Sequence, residues 1–223
     1  MGKKQFAALW FQGRNNKMIK VNLFYGDDYE GELVEFEFKD GSVAIDCGAN
    51  IGEVTHFLSE AGFEKVYSFE PNLYAFNILQ RRFADNPKVE CLPKAVTNSS
   101  KSGPGKLYFH KKANQNQIKY SKGCSTAPDK HNVDENNFMV VEMVGISDFI
   151  KSLDRPVGML KIDVEGTEAD ILNDLFESGL INEIGQIFVE THESKVPSSQ
   201  NDMKLIRERI EKEGIKNIHL EWE

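Results

Sequence analysis

Long hydrophobic runs are missing from this sequence. The longest early one, Phe6 to Phe11, falls far short of the ~20 residues that a membrane-spanning helix needs, so no span is expected. Lys3 and Lys4 precede that run as they would in an export leader, but the run is short and no small-residue cleavage site follows it. Gly2 invites a myristoylation reading, yet Phe6 stands where Ser or Thr is required. Cysteine is scarce: the 3 residues Cys47, Cys91 and Cys124 are widely spaced, and their odd number with no CxxC argues against a disulfide framework. These absences together point to the cytoplasm. No GxSxG elbow and no Walker loop occur, and His56, His110, His131 and His219 show no metal-ligand spacing.

What remains is an ordinary globular composition, with 40% hydrophobic and 28% charged residues in 223. That length suits one domain, read here as residues 42–223, with an N-terminal appendage over 1–41. Net charge is −8, unevenly spread. Lys94 to Lys130 holds eight lysines against Asp129 alone, +7 in that stretch and −15 elsewhere. A basic segment on an acidic body is a pointer to an anionic partner. The plainer reading is that the lysines solvate a long loop.

From Ser42 onward short apolar runs alternate with amphipathic segments, the pattern of βα units and a largely parallel sheet. Strands are expected at Val43–Cys47, Lys65–Phe69, Val89–Leu92, Lys106–His110, Phe138–Val144, Met159–Asp163, Ile187–Val189 and Ile215–Trp222. Helices are expected along Val54, Phe57, Leu58 and Ala61, along Leu73, Phe76, Leu79 and Phe83, along Ala169, Leu172, Leu175 and Phe176, and over Asn201–Glu213. Pro71 suits the start of the second helix, and Ser147 suits the cap of a short one. Val34, Phe36 and Phe38 alternate with polar residues as in a strand. Between about 97 and 137 the pattern dissolves into a lysine-rich insertion.

Three strand ends carry the chemistry. The first is Asp46-Cys47-Gly48-Ala49-Asn50-Ile51-Gly52, a glycine loop between a strand and a helix, where a nucleotide-like cofactor is the natural occupant. It is not a GxGxxG loop, and Asp46 would repel a pyrophosphate. An acid there suits a cofactor carrying an ammonium and a sulfonium, S-adenosylmethionine. The second is Glu70-Pro71, where a carboxylate can accept both ribose hydroxyls. Beyond the third strand, Ala95 and Val96 stand where small apolar side chains could line an adenine.

The third strand end is Lys161-Ile162-Asp163-Val164-Glu165-Gly166, with alternation putting Lys161, Asp163 and Glu165 on one side. A lysine in a central strand needs a carboxylate partner, and Asp163 or Glu190 is expected. His192, at the end of the neighbouring strand, has the character of a general base, or with Asp163 of a ligand for a hard cation. A single histidine at such a place is more often simply hydrogen-bonded, so no metal is expected.

DCGANIG at Asp46–Gly52, Phe69-Glu70-Pro71, and KIDVEG at Lys161–Gly166 followed by Glu168 resemble the FkbM-type S-adenosylmethionine-dependent methyltransferases, from about Ser42 to His192. The resemblance implies an α/β class I methyltransferase fold, a Rossmann-like sheet with helices on both faces. The chain ends soon after Trp222, so part of the family's terminal strand hairpin is expected to be missing. The resemblance also implies methyl transfer to a hydroxyl of a small molecule such as a sugar, glycolipid or polyketide. Carried over by position, Asp46, Gly48, Asn50, Gly52 and Glu70 match the family's cofactor loop and ribose acid, and Asp163 and Glu165 its cleft-lining DxEG element. With Ala49 and Pro71 beside them and Ala95 and Val96 placed by topology, these residues other than Glu165 are the cofactor-binding candidates. Asp163, Glu165 and His192 are the candidates for taking the hydroxyl proton. Two other readings stay open, an RNA methyltransferase using Lys94–Lys130 and an NAD-dependent oxidoreductase. Nothing in the sequence fixes the acceptor or the oligomeric state.

Overall fold

The computed structural model describes residues 10–11, 18–24 and 31–220. Gly2, Lys3, Lys4 and Phe6, and Trp222 at the far end, lie outside the described residues.

A six-stranded sheet organises the chain. It contains β4 (Val43–Cys47), β5 (Val66–Phe69), β6 (Val89–Leu92), β10 (Val157–Ile162), β11 (Gln186–Val189) and β12 (Ile218–His219). Their order is β12-β11-β10-β4-β5-β6, and every neighbouring pair is parallel. The chain builds outward from β4 through β5 to β6, then crosses back to place β10 on the other side of β4. That reversal opens a crevice at the carboxyl ends of β4 and β10.

Strand alternation sorts the apolar side chains into two cores. Val43, Ile45, Leu160, Ile162, Ile187 and Val189 face one side. There they pack under α3 (Ile146–Ser152), α4 (Glu168–Ser178) and α5 (Gln200–Glu213). Ala44, Met159 and Phe188 face the other. They meet α1 (Glu53–Glu60) together with Phe36 and Phe38, and Phe38 stacks on Phe63 at 4.1 Å. Phe36 belongs to β3 (Gly31–Glu37), which pairs antiparallel with β2 (Met18–Phe24), itself paired with β1 (Trp10–Phe11). The alternation of Val34, Phe36 and Phe38 is thus a strand pattern whose apolar face joins the core on the α1 side.

A second sheet, β7-β9-β8, lies beside the first. Its strands are β7 (Lys94–Thr97), where no strand was expected, and β8 (Gly103–His110) and β9 (Val133–Gly145), both longer than the sequence pattern indicates. The stretch between 97 and 137 is therefore largely ordered structure, running over β8, three short helical turns and the first part of β9.

Several boundaries differ from expectation. Pro71 does not start α2 (Leu73–Arg82): Asn72 caps it, its side chain accepting the Tyr74 N–H at 3.0 Å. Ser147 does not cap α3; Gly145 occupies that position without a side-chain bond. The Ser147 N–H is instead satisfied by the Asp174 carboxylate of α4 at 2.9 Å. The strand expected over Ile215–Trp222 is reduced among the described residues to β12.

Candidate active site

The same alternation that buries Ala44 and Met159 turns Asp46, Ser68 and Lys161 toward α1, as a polar layer inside an apolar core. Asp46 is fully buried. The Thr55 hydroxyl from α1 bridges its Oδ2 at 2.7 Å and the Ser68 hydroxyl at 2.9 Å. Lys161, 3% exposed, lies 3.2 Å from Asp46 Oδ1 and 3.4 Å from Asp163 Oδ2. Its ammonium also donates to the Gly48 carbonyl at 2.9 Å. Burial alone would lower the Lys161 pKa, but Asp46 and Asp163 outweigh it and the net shift is upward. Of the expected partners Asp163 is there and Glu190 faces His192 instead; Asp46 was not anticipated. Asp46 is thus held from behind the loop rather than aimed out of it.

The glycines answer to packing inside the protein. Gly48 has φ +82°, and a Cβ there would lie 1.8 Å from the Asp163 carbonyl oxygen. Such a contact leaves room for no side chain. A Cβ on Gly52 would strike Leu79 of α2 and Phe83 just beyond it. The loop's other residues stay close to the crevice: Ala49 is buried, and Asn50 has a left-handed φ of 48°.

Glu70, 6% exposed, ends β5 beside this loop. Its Oε2 accepts the Asn50 N–H at 2.8 Å and its Oε1 the Asn72 N–H at 2.7 Å. Burial pushes its pKa up to about 7 even though both backbone bonds favour the charged form. Pro71 is half-buried beside it. Ala95 and Val96 are both buried. Val96 packs in the main core and Ala95 in a separate cluster with Leu107, Phe109 and Cys124.

At the tip of β10, Asp163, Glu165 and His192 converge: each offers one ligand-type atom, and these atoms lie within 4.8 Å of one another. A divalent ion could bridge that span. In the structure a cation from the chain itself is there, because the Lys130 ammonium lies against Glu165 Oε2. Glu165 adopts a left-handed φ of 63°, a conformation that non-glycine residues hold only when their surroundings impose it. His192 is 1% exposed. Its Nδ1 is 3.0 Å from Glu168 Oε1, and its Nε2 is 3.4 Å from both Glu165 Oε2 and Glu190 Oε1. Burial works against a charge on this ring, but the three glutamates prevail and push its pKa up to about 10. Burial also raises Asp163, against the pull of Lys161, to about 6. Its Oδ1 is shielded from solvent without a hydrogen-bond partner.

Sequence reasoning missed Thr55, Ser121, Cys124 and Lys130. Asn50 donates its side-chain amide to the Ser121 hydroxyl at 2.9 Å, and Asn72 donates to Cys124 Sγ at 3.4 Å. A buried polar position on α1's inward face was the one available signal for Thr55. Lys130 carried none, standing among seven other lysines in its stretch.

A family model described as a methyltransferase FkbM domain matches residues 46–216. No curated protein and no solved structure matches the chain.

Proposed function

Because the chain belongs to the FkbM methyltransferase family and is a methyltransferase, we propose that it uses S-adenosylmethionine to methylate a hydroxyl of a small molecule, of the sugar, glycolipid or polyketide kind. The observation that carries this reading is the Glu70 carboxylate at the β5 tip, fixed by the N–H groups of Asn50 and Asn72. Each of its oxygens keeps a lone pair for a ribose hydroxyl. The residues present fit a polar ligand, since Asp163 Oδ1 is buried and without a hydrogen-bond partner. The bound cofactor supplies an electrophilic methyl on a cationic sulfur that leaves as a neutral thioether.

In this reading Gly48, Ala49, Asn50 and Gly52 shape the cofactor loop, with Asp46 and Lys161 bracing it from the core. Pro71 sets the turn beside Glu70, while Ala95 and Val96 act only as packing behind the site. Asp163 is the group that receives the acceptor's proton: its pKa of about 6 suits a base near neutral pH. Glu165 is occupied by Lys130, and His192 holds its own proton and so supplies positive charge. Rate then comes mainly from aligning hydroxyl, methyl and sulfur. The catalytic domain is residues 42–223, with 1–41 an appendage and 97–137 an insertion.

A cytoplasmic setting is supported by three free cysteines among the described residues. None of the described helices is long and apolar enough to cross a membrane. The test is calorimetric titration with S-adenosylmethionine and S-adenosylhomocysteine. Wild type should bind both, and Glu70→Ala should weaken binding by about 10–100-fold, the loss of one or two hydrogen bonds to a charged group. Absence of binding by wild type, or equal binding by the variant, would sink the reading.

A further inference from the structure

Of the eight lysines between Lys94 and Lys130, Lys130 alone is buried, at 2% exposure. Its ammonium ion-pairs with Glu165 and reaches the Gly123 carbonyl at 3.4 Å. Around it, residues 121–131 are tied to the loop after each of four parallel strands. Ser121 holds Asn50 after β4, and Cys124 holds Asn72 after β5. The Ser125 hydroxyl donates to the Glu165 carbonyl at 2.7 Å, after β10. Beyond β11, Asp129 accepts from the Ser198 N–H at 2.8 Å, and the His131 N–H donates to the Lys195 carbonyl at 3.0 Å. These are the loops that line the crevice, and Glu70, 6% exposed, is bound to the same Asn72 whose side chain Cys124 holds. Most of the ties are single neutral hydrogen bonds, which are individually weak. The Lys130–Glu165 pair is the one made by a fully buried charge, and losing either partner strands the other.

We infer that residues 121–131 are a cover over the cofactor site and that Lys130 is its anchor, a positioning residue that holds Glu165 and must release it for cofactor to exchange. This rests on the reading above that the crevice takes the cofactor. Two thiols make the inference measurable in the full chain. Cys124 sits in the cover, whereas Cys47 is completely buried in β4 and reacts only when the whole domain opens.

The probes are N-ethylmaleimide, followed by peptide mass spectrometry, and S-adenosylhomocysteine, whose release is followed by stopped flow. In wild type, Cys124 should react faster than Cys47, and S-adenosylhomocysteine should slow Cys124 at least about tenfold. Lys130→Met should speed Cys124 labelling and cofactor release at least about tenfold, with Cys47 unchanged, whereas Lys130→Arg should stay within about threefold of wild type. Glu165→Gln breaks the same pair from the other side and decides the matter if Lys130→Met does not fold. Equal Cys124 rates in wild type and the folded variant overturn the anchor, as does a Cys124 rate in wild type that merely follows Cys47. Failure of S-adenosylhomocysteine to bind wild type would defeat the cofactor reading instead, and the anchor would then stand or fall on the labelling rates without ligand.

Discussion

Strand β10 of the large sheet and strand β9 of the small one are both rich in apolar residues. All six residues of β10 are buried, Lys161 included, whereas β9 alternates along its length and leaves Val140 70% exposed. The difference is one of architecture. A parallel strand between two layers has no solvent face, so each polar residue in it must be matched by another. The small sheet has one covered face, with Leu107, Phe109 and Val141 beneath it, and its charges are met by water or by rings such as Phe138 under Lys106. A charged residue in the large sheet is therefore a statement about its neighbours, and one in the small sheet usually is not. Lys130, in the connection between β8 and β9, joins the two regions, its buried ammonium lying against Glu165.

The comparison is broken most forcefully at Lys161. Lys161→Met removes the cation shared by Asp46 and Asp163 and should cost about 3–5 kcal/mol in urea denaturation, as expected when one partner of a buried pair is lost. A loss below about 1 kcal/mol would mean that the large sheet tolerates unmatched charge as the small one does.

A smaller effect is expected from pH. The His192 pKa is raised on folding, from 6.5 to about 10, so folding is favoured by the protonated ring. That contribution is complete below pH 6.5 and fades as pH climbs toward 10. Stability measured between those limits should fall in wild type and fall less in His192→Asn; identical slopes would refute the shift. The smallest effect belongs to the small sheet's outer face, where Val140→Thr should change stability by no more than about 0.5 kcal/mol in the same assay. A larger loss would reveal a partner surface covering that face.

How much of this was legible differs residue by residue. The loops at Asp46–Gly52, Glu70-Pro71 and Lys161–Gly166 were readable because each is a local signal: an apolar run, an abrupt polar or glycine turn, then a helical stripe. The reason for the glycines was not readable, since the atom that excludes a side chain from Gly48 is the carbonyl of Asp163, over a hundred residues further along. The start of α3 failed for a similar reason. Ser147 is a good capping residue by type, but Asp174 from another helix reaches the backbone first. The Asn72 cap was local and was overlooked because Pro71 stood beside it.

The sequence by itself determined the order of strands and helices, the parallel sheet and the three strand-end loops that carry the family's residues, because periodicity and turn chemistry act over a few neighbouring positions. Only the tertiary structure decided which charges meet. Asp46 turned inward to Lys161, His192 became enclosed by three glutamates, and one lysine among eight left the solvent for Glu165. Electrostatic partnership depends on distance in space and on the removal of water, and neither quantity exists until the layers have packed.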